Sequence, residues 1–365
     1  MTAPLRVLYL GASRRIVEMF DPIVRALPAA EPVGVWSRSE QSAARMGETL
    51  DLPCSNSLDE LIERTTPDAA IVCVNAHANG IVGLDAANRG LHLLLETPLA
   101  FDVAEADAII EAATSRGITV EVAEQFHRRP MERIKLACLD AGLFGTVNVS
   151  ISDHEGHGYH GVSVMRSYLG FDARPVSVAG FTAHFPLASH RSEQTEEHQE
   201  HAFVRFEDGR LGVFHWTSVG YDCPIRSGLG GRFFAERGSW ETIRDGADLH
   251  QHVRVRNAQE AGNAGITVER IERDGILHTV QAHVHDGSNT VIEWTNPFAG
   301  VQAEQGLQWS DDMIGVAQCV DSLVRAVRSG STPDYGMHQA RIDQVVTNAI
   351  YDSARAGGAP RPIDA

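Results

Sequence analysis

The feature that most restricts the fold of this sequence is a regular alternation, from the start of the chain, of short apolar runs with helical stretches of about 10–15 residues. This alternation is typical of βα units, in which parallel strands form the middle layer of a doubly wound sheet. The runs that we interpret as strands are Leu5–Leu10, Pro32–Trp36, Ala69–Val74, His92–Leu95 and Ile118–Val122. Ligands of such a sheet bind beyond the carboxyl ends of the strands, so the residues that follow each run are the candidate site.

The first strand is followed at once by Gly11-Ala12-Ser13-Arg14-Arg15 and then by a helical stretch to Leu27. A tight turn between strand and helix is typical of a phosphate-binding βα unit, because the free N–H groups of the helix N-terminus attract anions. The later glycines of the G-x-G-x-x-G pattern are replaced by Ser13 and Ile16, so Arg14 and Arg15 are candidates to hold phosphate directly. A βα turn that binds no ligand is the alternative.

The second strand ends in Ser37-Arg38-Ser39. An Asp or Glu at this position would bind the adenosine ribose hydroxyls, whereas a Ser-Arg pair suits the 2′-phosphate of NADP. An arginine on a surface loop is also common. We therefore predict NADP, with NAD as the alternative, and assign Ser37 and Arg38 to cofactor binding.

Polar residues also follow the later strands, and the stretch from Asn75 to Gly80 precedes a helix that we place at Ile81–Arg89. Asn75, Ala76 and Asn79 come after the third strand, Glu96-Thr97-Pro98 after the fourth, and Gln125 after the fifth. Their position predicts that they line the cofactor site, and Thr97–Pro98 is a candidate cis peptide bond. An ordinary turn, with Thr97 or Asp102 capping a helix from Val103 to Arg116, is the alternative.

A chain of 365 residues is long enough for two domains of about 150 residues each, which we place at 1–126 and 127–365. After Gly145 the sequence changes to short strands separated by Gly and Asp turns, which predicts a large, mostly antiparallel sheet. A helix is predicted at Ser163–Leu169, a mobile histidine-rich loop at Ser189–His201, and two terminal helices that are candidates to pack back on the first domain. The predicted strands are Val147–Ser152, Val176–Phe181, Ala202–Phe206, Leu211–Trp216, Gly231–Glu236, His250–Arg256, Leu277–His283 and Thr290–Trp294.

Charge and cysteine content exclude several classes of function. A formal net charge of −17 argues against nucleic-acid binding. No apolar run approaches the ~20 residues that span a bilayer, and we expect no membrane partner. The five cysteines form no Cys-x-x-Cys pair, which predicts reduced thiols in the cytoplasm and no zinc site.

Several landmarks occur in a fixed order along nearly the whole chain. They are the degenerate first turn, the run His92–Ala100, the stretch Gly142-Leu143-Phe144-Gly145, His160 upstream of Gly170, and a tail from Trp309-Ser310-Asp311 to Ile350-Tyr351-Asp352-Ser353-Ala354. In this order they resemble the glucose–fructose oxidoreductase, inositol dehydrogenase and MocA (Gfo/Idh/MocA) family. The resemblance implies an N-terminal NAD(P)-binding Rossmann domain and a C-terminal α+β domain with an open sheet. It also implies a homodimer or homotetramer formed through that sheet. Helices on one face of an antiparallel sheet leave the other face to be covered, and we expect apolar strand residues there: Val204, Phe206, Val213 and Phe214.

The chain departs from the family at two catalytic positions. The family usually has Glu-Lys-Pro where this chain has Glu96-Thr97-Pro98, and an Asp where this chain has Gly156. His160 remains at the position of the family's catalytic histidine, and an imidazole suits proton transfer because it titrates near neutrality. His157 and Tyr159 are candidates to orient the substrate or to share the proton. Thr97, a neutral hydroxyl, is expected to hydrogen-bond the nicotinamide or the substrate.

Three functions follow from this combination. The first is an NAD(P)-dependent oxidoreductase acting on a sugar, polyol or related hydroxy compound, with His160 as acid or base. The second keeps NAD tightly bound and oxidises a sugar transiently during elimination or glycoside cleavage. The third is a non-catalytic NAD(P)-binding sensor. Two groups of histidines are candidates for a metal site: His190, His198 and His201, and the histidines from His154 to His160. A solvated loop is the better interpretation of the first group, and an acid–base cluster is the better interpretation of the second. We therefore expect no metal.

Overall fold

The computed structural model describes residues 3–153, 156–187, 195–219, 230–245, 248–256, 263–287 and 289–364. The chain divides into two compact units, each built on its own sheet. The first unit holds Met1–Arg128 and Phe298–Gln344, and the second holds Arg129–Pro297 and Val345–Ala365. Across the residues described, no helix combines the length and the apolar character that a membrane span requires.

The first unit contains a six-stranded parallel sheet, which confirms the predicted doubly wound α/β fold. Its strands are β1 (Leu5–Leu10), β2 (Ala30–Trp36), β3 (Cys54–Ser55), β4 (Ala69–Val72), β5 (His92–Leu95) and β6 (Val120–Val122). They lie in the order β3-β2-β1-β4-β5-β6. All four residues of β4 are buried, as a central parallel strand covered on both faces requires. The strand order reverses at β1, so a crevice opens between the loops that follow β1 and β4.

The helices of the first unit begin and end at residues with a clear capping role. Asp102 Oδ1 accepts a hydrogen bond from the backbone N–H of Glu105 at 2.8 Å, and Gly117 closes the same helix at φ +65°. The predicted helix Val103–Arg116 therefore has the predicted bounds. The helices are α1 (Asp21–Ala26, after a π-helical turn Ile16–Phe20), α2 (Glu40–Leu50), α3 (Leu58–Thr65), α4 (Ala76–Asn88), α5 (Val103–Arg116), α8 (Ala299–Gln305) and α9 (Asp311–Ser329).

Helix α4 begins earlier than predicted. The sequence analysis interprets Asn75 to Gly80 as a polar loop before a helix at Ile81, but Asn75 Oδ1 caps α4 by accepting from the N–H of Ala78 at 3.1 Å. Ala76 and Asn79 therefore lie in the first turns of the helix. A cap at Asn75 places these residues directly after β4, at the carboxyl edge of the sheet.

The second unit contains an eleven-stranded sheet, in which only β7 and β10 pair in parallel and the other neighbours pair antiparallel. Its order is β16-β15-β14-β13-β12-β11-β7-β10-β9-β8-β17. The strands are β7 (Val147–Asp153), β8 (Pro175–Pro186), β9 (Glu196–Phe206), β10 (Leu211–Thr217), β11 (Gly230–Ala235), β12 (Gly238–Asp245), β13 (Asp248–Arg256), β14 (Asn263–Arg273), β15 (Ile276–Val284), β16 (Val291–Thr295) and β17 (Arg361–Pro362). Strands β12 and β14 were not predicted, because their polar residues obscure the apolar alternation.

One face of this sheet carries helices. They are α6 (Pro130–Asp140), α7 (Gly158–Leu169) and the second half of α10 (Met337–Arg355). Helix α7 begins at Gly158 and not at Ser163, so His160 lies inside its first turn, where the prediction placed it ahead of the helix. The early start is compatible with packing because Gly161 has no side chain where it meets the ring of Phe214.

Two further predictions for the second unit are wrong in part. Residues 196–201 belong to β9 and pair with both β8 and β10, so this half of the predicted mobile loop is a strand, and residues 188–194 lie outside the described residues. Of the four apolar residues expected on the uncovered sheet face, Val204, Phe206 and Phe214 are buried on the helix-covered face, where Phe214 packs against α7. Val213 is the cross-strand partner of Phe203 and shares the opposite face with it.

Large apolar side chains are exposed on the opposite face of the sheet. Cross-strand partners share a face, and the register of β8, β9, β10, β7 and β11 brings one set of exposed large side chains to the same side. We call this set the open-face cluster; it comprises Phe181, Phe185, Phe203, Leu211 and Phe234.

Candidate active site

The turn after β1 can be made only with glycine at Gly11. This residue has φ +136°, and its N–H donates to the carbonyl of Trp36 at 2.8 Å. A side chain at Gly11 would overlap the carbonyl oxygen of Cys73, which follows β4. Close approach of backbone to backbone leaves the space above the turn open to a ligand.

A cavity of about 520 Å³ lies at this edge of the first sheet. It is lined by the residues that follow β1, β2 and β4: Gly11, Ala12, Ser13, Trp36, Ser37, Arg38, Ser39, Ser42, Cys73, Val74, Asn75, Ala78 and Val82. The structure therefore brings together the predicted residues Gly11, Ala12, Ser13, Ser37, Arg38 and Asn75. The other lining residues were missed, although Trp36 ends β2 and Cys73 follows β4, and their position at a strand end was the available signal.

The cavity favours an anionic ligand. Its lining contains no Asp or Glu, and Arg38 is its one charged residue. Arg38 is exposed and has no ion pair with any residue that the structure describes. A chain of net charge −17 thus presents a cationic side chain at the end of β2, with the hydroxyls of Ser37, Ser39 and Ser42 in the same lining.

The two arginines of the first turn have partners of their own. Arg14 is exposed and pairs with Glu18 one helical turn later. Arg15 is half-buried and its Nε contacts the Oε1 of Glu96, which follows β5. Neither arginine lines the cavity, so the sequence-based assignment of both to phosphate binding stays a prediction.

The Glu96-Thr97-Pro98 segment forms a rigid corner. The Thr97–Pro98 bond is cis, and both the N–H and the hydroxyl of Thr97 lie within hydrogen-bond distance of Glu96 Oε2, at 2.8 and 3.3 Å. Asn79 Nδ2 donates to the carbonyls of Glu96 and Pro98 at 2.6 and 2.7 Å. Asp102, and not Thr97, caps the following helix, which leaves the Thr97 hydroxyl at the wall of the sheet edge.

Two buried amide oxygens at this edge have no hydrogen-bond partner among the described residues. They are Asn79 Oδ1 in α4 and Gln125 Oε1 after β6. A buried acceptor without a partner is unfavourable unless a ligand or water supplies the donor. The predicted cofactor residues Asn79 and Gln125 therefore fit a group that carries N–H or O–H donors.

In the second unit, three candidate acid–base side chains are in contact at the start of α7. The ring of His160 lies 4.4 Å from that of Tyr159 and 5.0 Å from that of His157, measured between centroids. His160 is buried and His157 is exposed. His154, which was predicted to lie in the same cluster, is outside the described residues.

A polar network that the sequence did not reveal adjoins this cluster. Tyr351 Oη, in α10, donates to Glu200 Oε2 at 3.3 Å, and Glu200 Oε1 lies 3.0 Å from His198 Nε2. His198 Nδ1 in turn lies 3.2 Å from His184 Nε2. These residues come from α10, β9 and β8, so no local pattern in the sequence connects them.

No metal centre is evident in the part of the chain that the structure describes: no three His, Cys, Asp or Glu side chains are grouped to hold an ion. His198 and His201 lie on opposite faces of β9, which separates two of the three histidines considered for a metal site. His190 lies outside the described residues. The cysteines Cys54, Cys73, Cys138 and Cys319 are free thiols, and Cys223 is not described.

Cys73 lies in the lining of the cavity. Burial raises the pKa of its thiol to about 12, and the nearby Glu96 carboxylate acts in the same direction. The thiol is therefore protonated at neutral pH, and a proton on sulfur adds no negative charge to the cavity.

Comparison with known proteins agrees with this geometry. Residues 5–124 match the model of the oxidoreductase family with an NAD-binding Rossmann fold, GFO_IDH_MocA. The chain is 27% identical over 143 residues to dTDP-3,4-didehydro-2,6-dideoxy-alpha-D-glucose 3-reductase of Streptomyces violaceoruber, a match that covers 39% of this chain and 42% of that enzyme. It is 21% identical to D-xylose 1-dehydrogenase (NADP(+)) 2 of Haloferax volcanii over 96% of this chain and 97% of that protein.

A solved structure has the same fold along the whole chain. Aldose-aldose oxidoreductase from Caulobacter crescentus, complexed with glycerol, superimposes with a TM-score of 0.68 at 16% identity, covering 99% of this chain and 100% of that one. This match covers both units, so the second unit also shares its fold with a solved structure.

Proposed function

We propose, from the premise that this chain belongs to the Gfo/Idh/MocA family of NAD(P)-dependent oxidoreductases, that it transfers hydride between a nicotinamide cofactor and a sugar, polyol or related hydroxy compound. The observation that carries the proposal is the cavity at the carboxyl edge of the first sheet. It combines a turn that requires glycine with a lining whose one charge is positive. Such a cavity suits the phosphates of a dinucleotide.

The cofactor that we propose is NADP(H). Backbone N–H groups of the turn from Gly11 to Ser13 would hold the pyrophosphate, and Ser37 with Arg38 would hold the 2′-phosphate. A carboxylate at this position would repel that phosphate, and the described lining contains none. When bound, the nicotinamide accepts or donates the hydride, and the chain's own residues manage the proton.

His160 is the residue that we propose for proton transfer. Oxidation of a secondary carbinol releases the hydroxyl proton, which the neutral imidazole accepts; in the reverse direction the imidazolium returns it. Burial of His160 shields the transfer from bulk water, and contact with Tyr159 and His157 orients the ring.

Thr97 occupies the position of the family's lysine but supplies no positive charge. We propose that its hydroxyl, anchored on Glu96 Oε2, hydrogen-bonds the nicotinamide or the substrate. Arg15 contacts the other oxygen of the same carboxylate. Because Glu96 neutralises the charge of Arg15, neither this pair nor Thr97 supplies the net positive charge that a lysine offers a developing alkoxide.

A second function is favoured by the density of acid–base groups around His160. Transient oxidation by a retained NAD, followed by elimination or glycoside cleavage, needs a second proton carrier, and His157 or Tyr159 could serve. Net turnover of free NADP(H) or NAD(H) separates the two functions, because the second returns its cofactor to the starting state.

We also propose a homodimer or homotetramer formed through the open-face cluster. Large exposed phenylalanines on one sheet face are unfavourable in water, and a second copy of the same face is complementary by symmetry. Phe203→Glu should shift the particle mass from oligomer to monomer in light scattering, whereas Phe206→Leu, on the buried face, should not. A monomeric wild type at micromolar concentration contradicts this proposal. A cytoplasmic location stays a prediction.

The decisive experiment for the main function has two parts. Mass spectrometry first identifies any copurified nucleotide, and fluorescence titration compares the binding of NADPH and NADH. Absorbance then follows net reduction of NADP⁺ with D-xylose, D-glucose, myo-inositol and glycerol. We expect NADPH binding and turnover with at least one of these compounds; binding without turnover would favour the sensor function, and failure to bind either nucleotide would contradict the whole proposal.

A further inference from the structure

A line of hydrogen bonds leads from the buried acid–base cluster of the second unit to the protein surface. It begins at Tyr351, whose hydroxyl oxygen lies beside Gly158 at the start of α7, and continues through Glu200 and His198 to His184. Its last member, His184, is exposed and lies 3.4 Å from the exposed Glu196. We call this line the relay.

Every inner member of the relay uses two different atoms for its two neighbours. Glu200 contacts Tyr351 with Oε2 and His198 with Oε1, and His198 contacts Glu200 with Nε2 and His184 with Nδ1. A carboxyl group and an imidazole can each receive a proton on one atom and release another proton from the second. The connectivity is therefore that of a proton conductor and not only that of a structural anchor.

We propose that the relay carries the substrate hydroxyl proton from the His157–Tyr159–His160 cluster to solvent. The inference rests on the proposed function, since only a reaction that releases a proton needs such a path. Tyr159 connects the two parts: its ring lies 4.4 Å from that of His160, and it directly follows Gly158, beside which the hydroxyl oxygen of Tyr351 lies.

Each member of the relay gives up one proton for each proton that it receives. Tyr351 passes its hydroxyl proton to Glu200 Oε2 while it receives one from the cluster, so no phenolate forms. Protonated Glu200 gives a proton to His198 Nε2, and His198 releases its Nδ1 proton to His184 Nε2. His184 then releases its Nδ1 proton to water or to Glu196.

The environment of Glu200 suits a group that is protonated in transit. Burial raises the pKa of this carboxyl, and His198, Tyr351 and His201 act in the opposite direction. A buried carboxyl with a raised pKa accepts a proton from a neighbour more readily than an exposed one does. His184, at the other end, is exposed to solvent.

The test separates hydride transfer from proton release in single turnovers. NADPH absorbance follows the hydride, and a pH-indicator dye in weak buffer follows the proton, with whichever of D-xylose, D-glucose, myo-inositol and glycerol turns over. In the wild type the two signals should coincide. In His184→Ala and Glu200→Gln the hydride signal should persist while proton release slows by about tenfold or more, the scale of a positioned proton carrier.

Two controls distinguish conduction from a structural role. Added imidazole should restore proton release in His184→Ala, because it replaces the missing ring at an exposed position. His283→Ala should behave as wild type, since His283 lies on β15 and its Nε2 is 3.4 Å from Glu269, outside the relay. Coincident signals in both relay variants would overturn the inference and leave the proposed function intact.

A second measurement needs no turnover. In the protein without cofactor, NMR titration of the imidazole nitrogens should show that His184 and His198 titrate as a coupled pair, and Glu200→Gln should shift the titration of both but not that of His283 on β15. Independent titration of His184 and His198 would overturn the relay. If no compound turns over, the proposed function fails, and this titration alone decides whether the hydrogen-bonded line exists.

Discussion

The cavity at the carboxyl edge of the first sheet, which we call the cleft, and the acid–base cluster of the second unit are built in different ways. The cleft is shaped by backbone and small side chains, with one glycine that no other residue can replace and one charged residue in its lining. The cluster and its relay consist of large titratable side chains in mutual contact, drawn from α7, β8, β9 and α10. The cleft thus depends on its shape, so substitutions there should weaken cofactor binding. The cluster depends on its titratable groups, so substitutions there should lower turnover.

Substitution of His160 should lower turnover and leave cofactor binding unchanged. His160→Asn removes the proton acceptor, so turnover should fall by about 10²–10⁴-fold, while the Kd for NADPH stays unchanged. Steady-state kinetics and fluorescence titration measure the two effects. His157→Ala is the matched control and should lower turnover less; a His160→Asn enzyme with wild-type turnover would move the role to His157 or Tyr159.

Substitution of Gly11 should change the shape of the cleft and weaken cofactor binding. Gly11→Ala places a methyl group against the Cys73 carbonyl and forces alanine to φ +136°, a strain of roughly 1–3 kcal/mol. NADPH binding should weaken by about tenfold to a hundredfold and the Tm should fall. Gly90→Ala, whose added methyl meets no atom, controls for the positive φ alone; equal NADPH binding in both variants would contradict the role of the turn.

The charge of the cleft should decide between the two nucleotides. Arg38→Asp removes the cation and adds a carboxylate suited to ribose hydroxyls, so preference should shift from NADPH towards NADH by about tenfold or more, the value of a charged hydrogen bond. Competitive titration of both nucleotides measures the ratio. If the wild type binds NADH more tightly than NADPH, the assignment of Arg38 is wrong.

Thr97 is a residue of the first unit whose hydroxyl is expected to contact the nicotinamide or the substrate, so its substitution tests cofactor binding and activity together. Thr97→Val keeps the shape of the corner and removes a neutral hydroxyl, which should weaken nicotinamide or substrate contacts by about two- to tenfold. We expect the change in KM or in cofactor Kd rather than in the pH profile. Full activity and unchanged affinity in this variant would show that the hydroxyl makes no important contact.

The smallest expected effect concerns stability of the second unit against pH. Because burial raises the pKa of Glu200 in the folded state, its contribution to stability is fully present below the unfolded pKa and is lost as pH rises through the folded value. Glu200→Gln should therefore flatten the fall of Tm over that window. Thermal unfolding at a series of pH values checks this; an identical pH dependence in the variant would contradict the raised pKa.

The sequence predicted the first unit well because its signals are local. Apolar runs, a capping Asp102 and a closing Gly117 lie within a few residues of the structure they determine, and α5 has the predicted bounds. The turn at Gly11 was also visible, and the positions after β1, β2 and β4 led to six of the cavity residues. The errors there include Asn75, which was taken as part of a loop although it caps a helix, and the two-residue strand β3, which was not predicted.

The second unit was harder because its determinants are distant in the chain. The charged, histidine-rich stretch at 196–201 looked like a loop, yet cross-strand pairing on both sides makes it part of β9. Helix α7 contains Gly158 and Gly161, which disfavour helix locally but fit tightly packed neighbours. The line from Tyr351 to His184 joins three segments through tertiary contacts, so only a structure could reveal it.

The protonated Cys73 has a consequence for the protein under oxidative stress. Peroxides and electrophiles attack the thiolate form of cysteine, and a thiol with a pKa of about 12 has very little thiolate at neutral pH. The cleft therefore contains a sulfur atom that should resist sulfenic acid formation and alkylation. A low-pKa cysteine at the same place would acquire oxygen atoms or adducts that fill the space for the nucleotide, whereas this one keeps the cleft open when the redox balance of its surroundings shifts.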